Sequence, residues 1–241
     1  MHGSDVAVDA FARVLVVSAH PDDPEFGYGA LIATLVDGGA EVRYTICTDG
    51  SQGGDDPSIP DVELIATRAW EQFQAATVLG VRDVMFLGFR DGSLTPNPEL
   101  RHAITRELRR VQPDLVLTHT PHRPPTATAL SHPDHLAVGE ATLAAVVMDA
   151  AARPDHPVRE VWLPGLEETD HLIEVTRSAV DRQVKAMLCH KSQLRAPAPE
   201  RWSQERLRMV LASKQRLREQ GASSAEGYEY AARVHRLRLG S

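Results

Sequence analysis

The sequence predicts an α/β fold: a Rossmann-like, mostly parallel sheet with helices on both faces, followed by a helical, basic C-terminal segment. Three observations carry that expectation. Short apolar runs alternate with longer stretches whose apolar residues recur at helical spacing. Polar loops rich in Asp and His follow four of the apolar runs. Charge is unevenly divided: residues 1–176 hold 12 Lys/Arg against 27 Asp/Glu, net −15, whereas residues 177–241 hold 14 against 6, net +8.

The first apolar run, 14–18, reads as a buried strand, and a helix over about 25–36 ends at Gly38-Gly39. "EVRYTICT" (41–48) puts Val42, Tyr44 and Ile46 on one face and reads as the second strand. After the loop "DGSQGGDDPSIP", residues 61–79 space Ile65, Ala69, Phe73 and Ala76 as a helix that Gly80 terminates. "DVMFLGF" (83–89) is a third strand, 98–111 a helix and "DLVLTH" (114–119) a fourth strand. Residues 132–151 read as a helix with Ser131 as its N-cap. "EVWLPG" (160–165) and "LIEVT" (172–176) supply later strands, and "RAPAPE" (195–200) breaks the helical segment that begins at 177.

The chain of 241 residues, 42% apolar and 24% charged, suits a single domain over 13–241 after a flexible N-terminus of 1–12. A net charge of −7 argues against nucleic acid as a partner. No apolar run approaches the ~20 residues of a transmembrane span, and "MHGSDVAVDAFAR" is not a signal peptide. Cys47 and Cys189, far apart and outside any CxxC pair, read as buried thiols of a reducing, cytoplasmic compartment. The basic segment is either a set of solvated helix faces or a surface meeting an anionic ligand or the acidic part of this or another subunit. The last case would be a homo-oligomer.

In open parallel sheets ligands bind beyond the carboxyl ends of the strands. There the sequence places "HPDD" (20–23), Thr48-Asp49-Gly50, Arg90-Asp91-Gly92 and His119. A second dense cluster, "SHPDHL" (131–136), opens a helix. His132 and His135, three apart, share a helix face, while Asp134 projects elsewhere and suits support of a ligand better than ligation. Joining the two clusters gives two or three histidines and two or three carboxylates. Imidazole donors favour Zn²⁺ over Mg²⁺, and a His₂-carboxylate set leaves a position open for water. Spacing alone does not decide between Asp22 and Asp23 as ligand.

"AHPDD" after the first strand with "HPDH" about 110 residues later resembles the PIG-L (LmbE-like) family of zinc-dependent N-deacetylases. "TDGSQG" (48–53), "ATRAWEQFQAATVLG" (66–80), "LGFRDGSL" (87–94) and "CHKSQ" (189–193) are similar to further segments of that family, so the likeness covers most of 14–193. It implies His20, Asp23 and His135 as ligands of one Zn²⁺ per chain and Asp22 as general base. His132 would stabilise the oxyanion or act as general acid, and Asp134 would orient His132. It also implies that Arg68 and Asp91 contact substrate hydroxyls. For Arg68 the competing role is a salt bridge with Glu63 or Glu71; for Asp91, turn chemistry.

The activity so implied is removal of an N-acetyl or other N-acyl group from an amino-sugar conjugate such as one of N-acetylglucosamine, a small-molecule partner. Two alternatives stand beside it: an amidase of a thiol-sugar conjugate, and a metal- or sugar-binding protein without catalysis. Asp49 either lines the site or caps its loop, and His190 reads as a packed helix residue. The Pro- and Thr-rich stretch 119–130 is expected to form a rim or lid that sets substrate choice, with His119 and His122 as rim groups rather than ligands.

Overall fold

The structure, a computed structural model, describes residues 8–54, 58–122, 132–153, 155–164, 171–194, 212–224 and 227–239. Seven strands form one sheet: β1 (Arg13–Ser18), β2 (Glu41–Thr48), β3 (Asp83–Phe89), β4 (Leu115–Thr118), β5 (Glu160–Pro164), β6 (His171–Glu174) and β7 (Ala231–Arg238). Their order across the sheet is β3-β2-β1-β4-β5-β7-β6. β1 to β5 are parallel to one another, whereas β7 runs antiparallel to both β5 and β6.

β1 is buried from Val14 to Ser18 because it is an interior strand, covered on both faces. Its alternating side chains divide the core. Val14 and Val16 join the layer beneath α1 (Asp23–Asp37), α2 (Asp61–Leu79) and α5 (Arg177–Met187). Leu15 and Val17 join the layer beneath α3 (Pro98–Val111) and α4 (Pro133–Ala152). The chain leaves β1 toward β2 on one side and later enters β4 on the other, so strand order reverses between β1 and β4. A crevice opens at their carboxyl ends. α4 closes on that crevice because Gly139 lacks a side chain: a Cβ there would lie 2.4 Å from the His119 carbonyl oxygen.

Three expectations change. The C-terminal segment is helical over α5 and 212–222, but Ala231–Arg238 is strand β7. The buried guanidinium of Arg236 pairs with Glu160 on β5, which lets a charge-rich stretch enter a sheet. The N-cap of α4 is His132, whose Nδ1 accepts from the Asp134 N–H; Ser131 lies outside the described residues. Residues 8–12 of the expected flexible N-terminus carry a 3₁₀ turn and buried Phe11, set edge-on against Trp162. Residues 1–7 lie outside the described residues.

The basic segment meets acidic residues of its own chain, Arg182 with Asp37 and Arg236 with Glu160. Among the described residues α4 alone is long and apolar enough to cross a membrane by length and composition. Here it is a core helix, with Ala137, Val138, Ala141, Ala145 and Val146 buried. Both cysteines are free thiols.

Candidate functional site

The loop from β1 into α1 and the first turn of α4 meet at the β1/β4 crevice. His20 Nδ1 lies 3.2 Å from His135 Nε2 and 3.4 Å from Asp23 Oδ2, and His135 Nε2 lies 3.1 Å from Asp23 Oδ1. Among the described residues the metal-capable groups that converge are His20–Asp23–His135 and His20–His132–Asp134. Zinc held tetrahedrally at about 2.0–2.1 Å sets its ligand atoms about 3.3–3.4 Å apart. The triangle of His20, Asp23 and His135 therefore fits such an ion.

Supporting carboxylates fix the ligand tautomer. His20 Nε2 lies 3.1 Å from Asp91 Oδ1 and 3.2 Å from Asp134 Oδ2, so that nitrogen keeps its proton whether the ring is charged or neutral, and in the neutral ring Nδ1 turns its lone pair to the centre. Burial pushes the His20 imidazole down, but Asp23 and Asp91 together outweigh it and hold it up at about 11. Burial pushes Asp23 up, but His135 and His119 outweigh it and hold its carboxyl well below the ordinary range. The field at this point favours positive charge.

Asp22 stands beside this triangle. Burial raises its carboxyl to about 6, against the opposing pull of Arg68. Its backbone has φ 103° and ψ −30°, its N–H donates to Gln72 Oε1 at 2.8 Å, and its carbonyl accepts from Glu25 and Phe26. His132 is exposed at the mouth, with its ring 4.7 Å from that of His20. Its Nδ1 accepts from a backbone N–H, so the neutral ring bears its proton on Nε2. Burial and the positive His20 lower its pKa.

The remaining expected residues take other places. The Asp134 carboxylate accepts from the N–H groups of Gly92 (2.8 Å) and Leu94 (3.0 Å) besides facing His20. Its hydrogen bond to His132 runs through its backbone N–H, while its carboxylate lies in the same cluster as the His20 and His132 rings. Arg68 is buried, and its guanidinium donates to the carbonyls of Gly50 and Pro21, both at 2.7 Å. Its charge partners are Asp22 at 3.5 Å and Asp91 at 3.6 Å, not Glu63 or Glu71. Asp91, also buried, accepts from the Gln52 N–H and holds His20. Asp49 caps its loop, its carboxylate accepting from the N–H groups of Ser51 and Asp91.

His119 stands in the wall of the site and not on its rim. Its Nε2 accepts from the Ala19 N–H at 3.1 Å and lies 3.2 Å from Asp23 Oδ2. The ring stacks on that of His135 at 4.1 Å with an interplanar angle of 6°, while Nδ1 meets the Tyr28 hydroxyl. Tyr28 reaches it because α1 is kinked there, at φ −141° and ψ 15°. The sequence signal was its place directly after β4. His122 is exposed, and the rest of the expected rim, 123–130, lies outside the described residues.

Comparison with known proteins agrees with this geometry. A family model described as GlcNAc-PI de-N-acetylase, PIG-L, matches residues 15–146. The chain is 30% identical over 200 residues to the diacetylchitobiose deacetylase of Thermococcus kodakarensis, covering 79% of this chain and 73% of that protein. It is 32% identical over 172 residues to the 1D-myo-inositol 2-acetamido-2-deoxy-alpha-D-glucopyranoside deacetylase of Geodermatophilus obscurus, covering 59% and 56%. The solved structure of N,N'-diacetylchitobiose deacetylase from Pyrococcus horikoshii superposes with a TM-score of 0.79 at 28% identity, covering 95% of this chain and 84% of that one. The fold, the pair of His/Asp clusters and these likenesses agree: the chain belongs to the PIG-L family of LmbE-like deacetylases.

Proposed function

We propose that this protein is a zinc-dependent hydrolase that removes the N-acetyl group from a small N-acetylglucosamine conjugate. The observation that carries the proposal is the convergence of His20 Nδ1, Asp23 and His135 Nε2 at 3.1–3.4 Å beside the carboxylate of Asp22, whose charge partner is Arg68 at 3.5 Å. Relatives named as deacetylases of diacetylchitobiose and of an inositol glycoside of N-acetylglucosamine support the substrate class.

His20, Asp23 and His135 would hold one Zn²⁺, which when bound polarises the acetyl carbonyl and acidifies a water. Asp22, raised to about 6, is poised near neutrality to accept the proton of the attacking water on a carboxylate oxygen. His132 Nε2–H is placed to donate a hydrogen bond to the carbonyl oxygen as it gains charge, and the proton that Asp22 takes from the water passes on to the leaving amine. The positive end of α4, whose first turn holds His135, lies on the same side. Asp91 and Asp134 keep His20 in the ligating tautomer. Arg68 braces the backbone under Asp22, so we assign Arg68 and Asp91 to support of the site and not to substrate hydroxyls.

The test is incubation of the zinc-loaded protein with a panel of N-acetylglucosamine conjugates that includes N,N'-diacetylchitobiose and an inositol glycoside, scored for free primary amine. Stoichiometric amine and acetate from at least one member is the expected result. No release from any member, with thiol-sugar amides cleaved instead, would replace deacetylation by amidase action.

A further inference from the structure

The base assigned to Asp22 sits on a backbone that its own side chain does not hold. Its φ of 103° is one of two positive values at non-glycine residues among the described ones, and its carboxylate makes no capping bond to α1. Non-glycine residues adopt such a conformation only where their surroundings enforce it. The enforcing contacts come from α2, whose residues Arg68 and Gln72, one turn apart, face this loop. Arg68 binds the Pro21 carbonyl, and Gln72 Oε1 accepts the Asp22 N–H.

Gln72 is itself fixed from behind. It is fully buried, and its Nε2 donates to both oxygens of Glu25 at 3.0 and 3.1 Å. With a backbone donor on one side and a carboxylate on the other, only one orientation of this amide is satisfied. Glu25 has no solvent exposure, and a carboxylate so buried needs a partner. That partner is His190, 1% exposed, with Nε2 3.0 Å from Glu25 Oε2. A continuous chain of contacts thus runs from His190, just beyond α5, through Glu25 and Gln72 to the N–H of Asp22.

We infer that Gln72, backed by the Glu25–His190 pair, is a positioning residue that holds Asp22 in its left-handed turn with the carboxylate aimed at the reacting water. The inference rests on the reading of Asp22 as the base. A control lies in the same layer: Gln183 Nε2 donates to the Glu25 backbone carbonyl at 2.9 Å, linking α5 to α1 without touching the side-chain relay through the Glu25 carboxylate and Gln72.

The experiment compares full-length, zinc-loaded Gln72→Met, Gln183→Met and Asp22→Asn with the parent. It measures zinc content, amide hydrogen exchange of the peptide containing Asp22, and kcat and KM on the conjugate from the panel that releases amine. For Gln72→Met the expected result is at least tenfold loss of exchange protection at the Asp22 amide, with kcat at least tenfold lower at unchanged KM and zinc content. Gln183→Met should keep both protection and kcat within twofold. Should Gln72→Met fail to fold, His190→Gln, which touches the chain only at its far end, is expected to lower kcat at least threefold at unchanged KM. Unchanged Asp22 exchange, or kcat within twofold, in a folded Gln72→Met protein overturns the inference, as does an unchanged kcat in His190→Gln. Parental kcat in Asp22→Asn overturns the base assignment instead, and the exchange data separate the two failures.

Discussion

Nδ1 of His20 and Nε2 of His135 face each other at 3.2 Å across 115 residues of sequence. Two imidazole nitrogens this close must share a proton or a cation, and Asp23 completes the triangle on the side away from Asp91 and Asp134. On the proposed zinc site, His20→Ala and His135→Ala should therefore each lose most of the one zinc per chain expected of the parent. Metal analysis after desalting reads this directly. Full zinc in both variants would refute the ligand triangle.

Asp22→Asn separates holding the ion from using it. The amide cannot take a proton from water, and general-base removal costs about 10²–10⁴ in rate. Zinc content should stay at one per chain, because Asp22 is outside the triangle. Burial disfavours the Asp22 charge, which raises its carboxyl to about 6, so the melting temperature at pH 7.5 should hold or rise. A variant with parental kcat, or one that loses zinc, would contradict these assignments.

Asp91→Asn tests the support behind His20. Substitution of such an outer partner typically costs about 10–100-fold in metal affinity. Competition with a chromophoric chelator should show a loss in that range for Asp91→Asn, with the remaining activity restored by excess zinc. Parental affinity would mean that Asp134 alone orients His20.

The convergence of the two His/Asp clusters was legible because each is a short motif at a place the α/β pattern marks as a strand end or helix start, whereas the choice of Asp23 over Asp22 came from the family resemblance. The supporting contacts were not, because they depend on where side chains point. Asp134 is adjacent in sequence to His135, yet its carboxylate turns away to the Gly92–Leu94 loop and His20. For Arg68, helical spacing did not show that its guanidinium is buried against two backbone carbonyls. His119 was visible as a residue after β4, but only its stacking on His135 places it in the site wall. β7 was hidden by its charges, since the Glu160 that neutralises Arg236 is 76 residues away.

Asp149 gives the fold an acid-sensitive point away from the site. It is buried on α4, and burial pushes its carboxyl up. Hydrogen bonds from Arg109 (2.8 Å) and His156 (2.8 Å), with the nearby charge of Arg153, outweigh burial and hold it below the ordinary value. A depressed folded-state pKa means that the unfolded chain binds the proton more readily. The stabilisation is therefore complete above the ordinary carboxylate pKa and is lost as pH falls through the lower, folded value. Melting temperatures between pH 6 and pH 3 should fall more steeply for the parent than for Asp149→Asn, which begins lower and has no carboxylate to protonate at this point. Parallel curves for the two proteins would show that the Arg109–Asp149–His156 cluster contributes nothing to the acid limb.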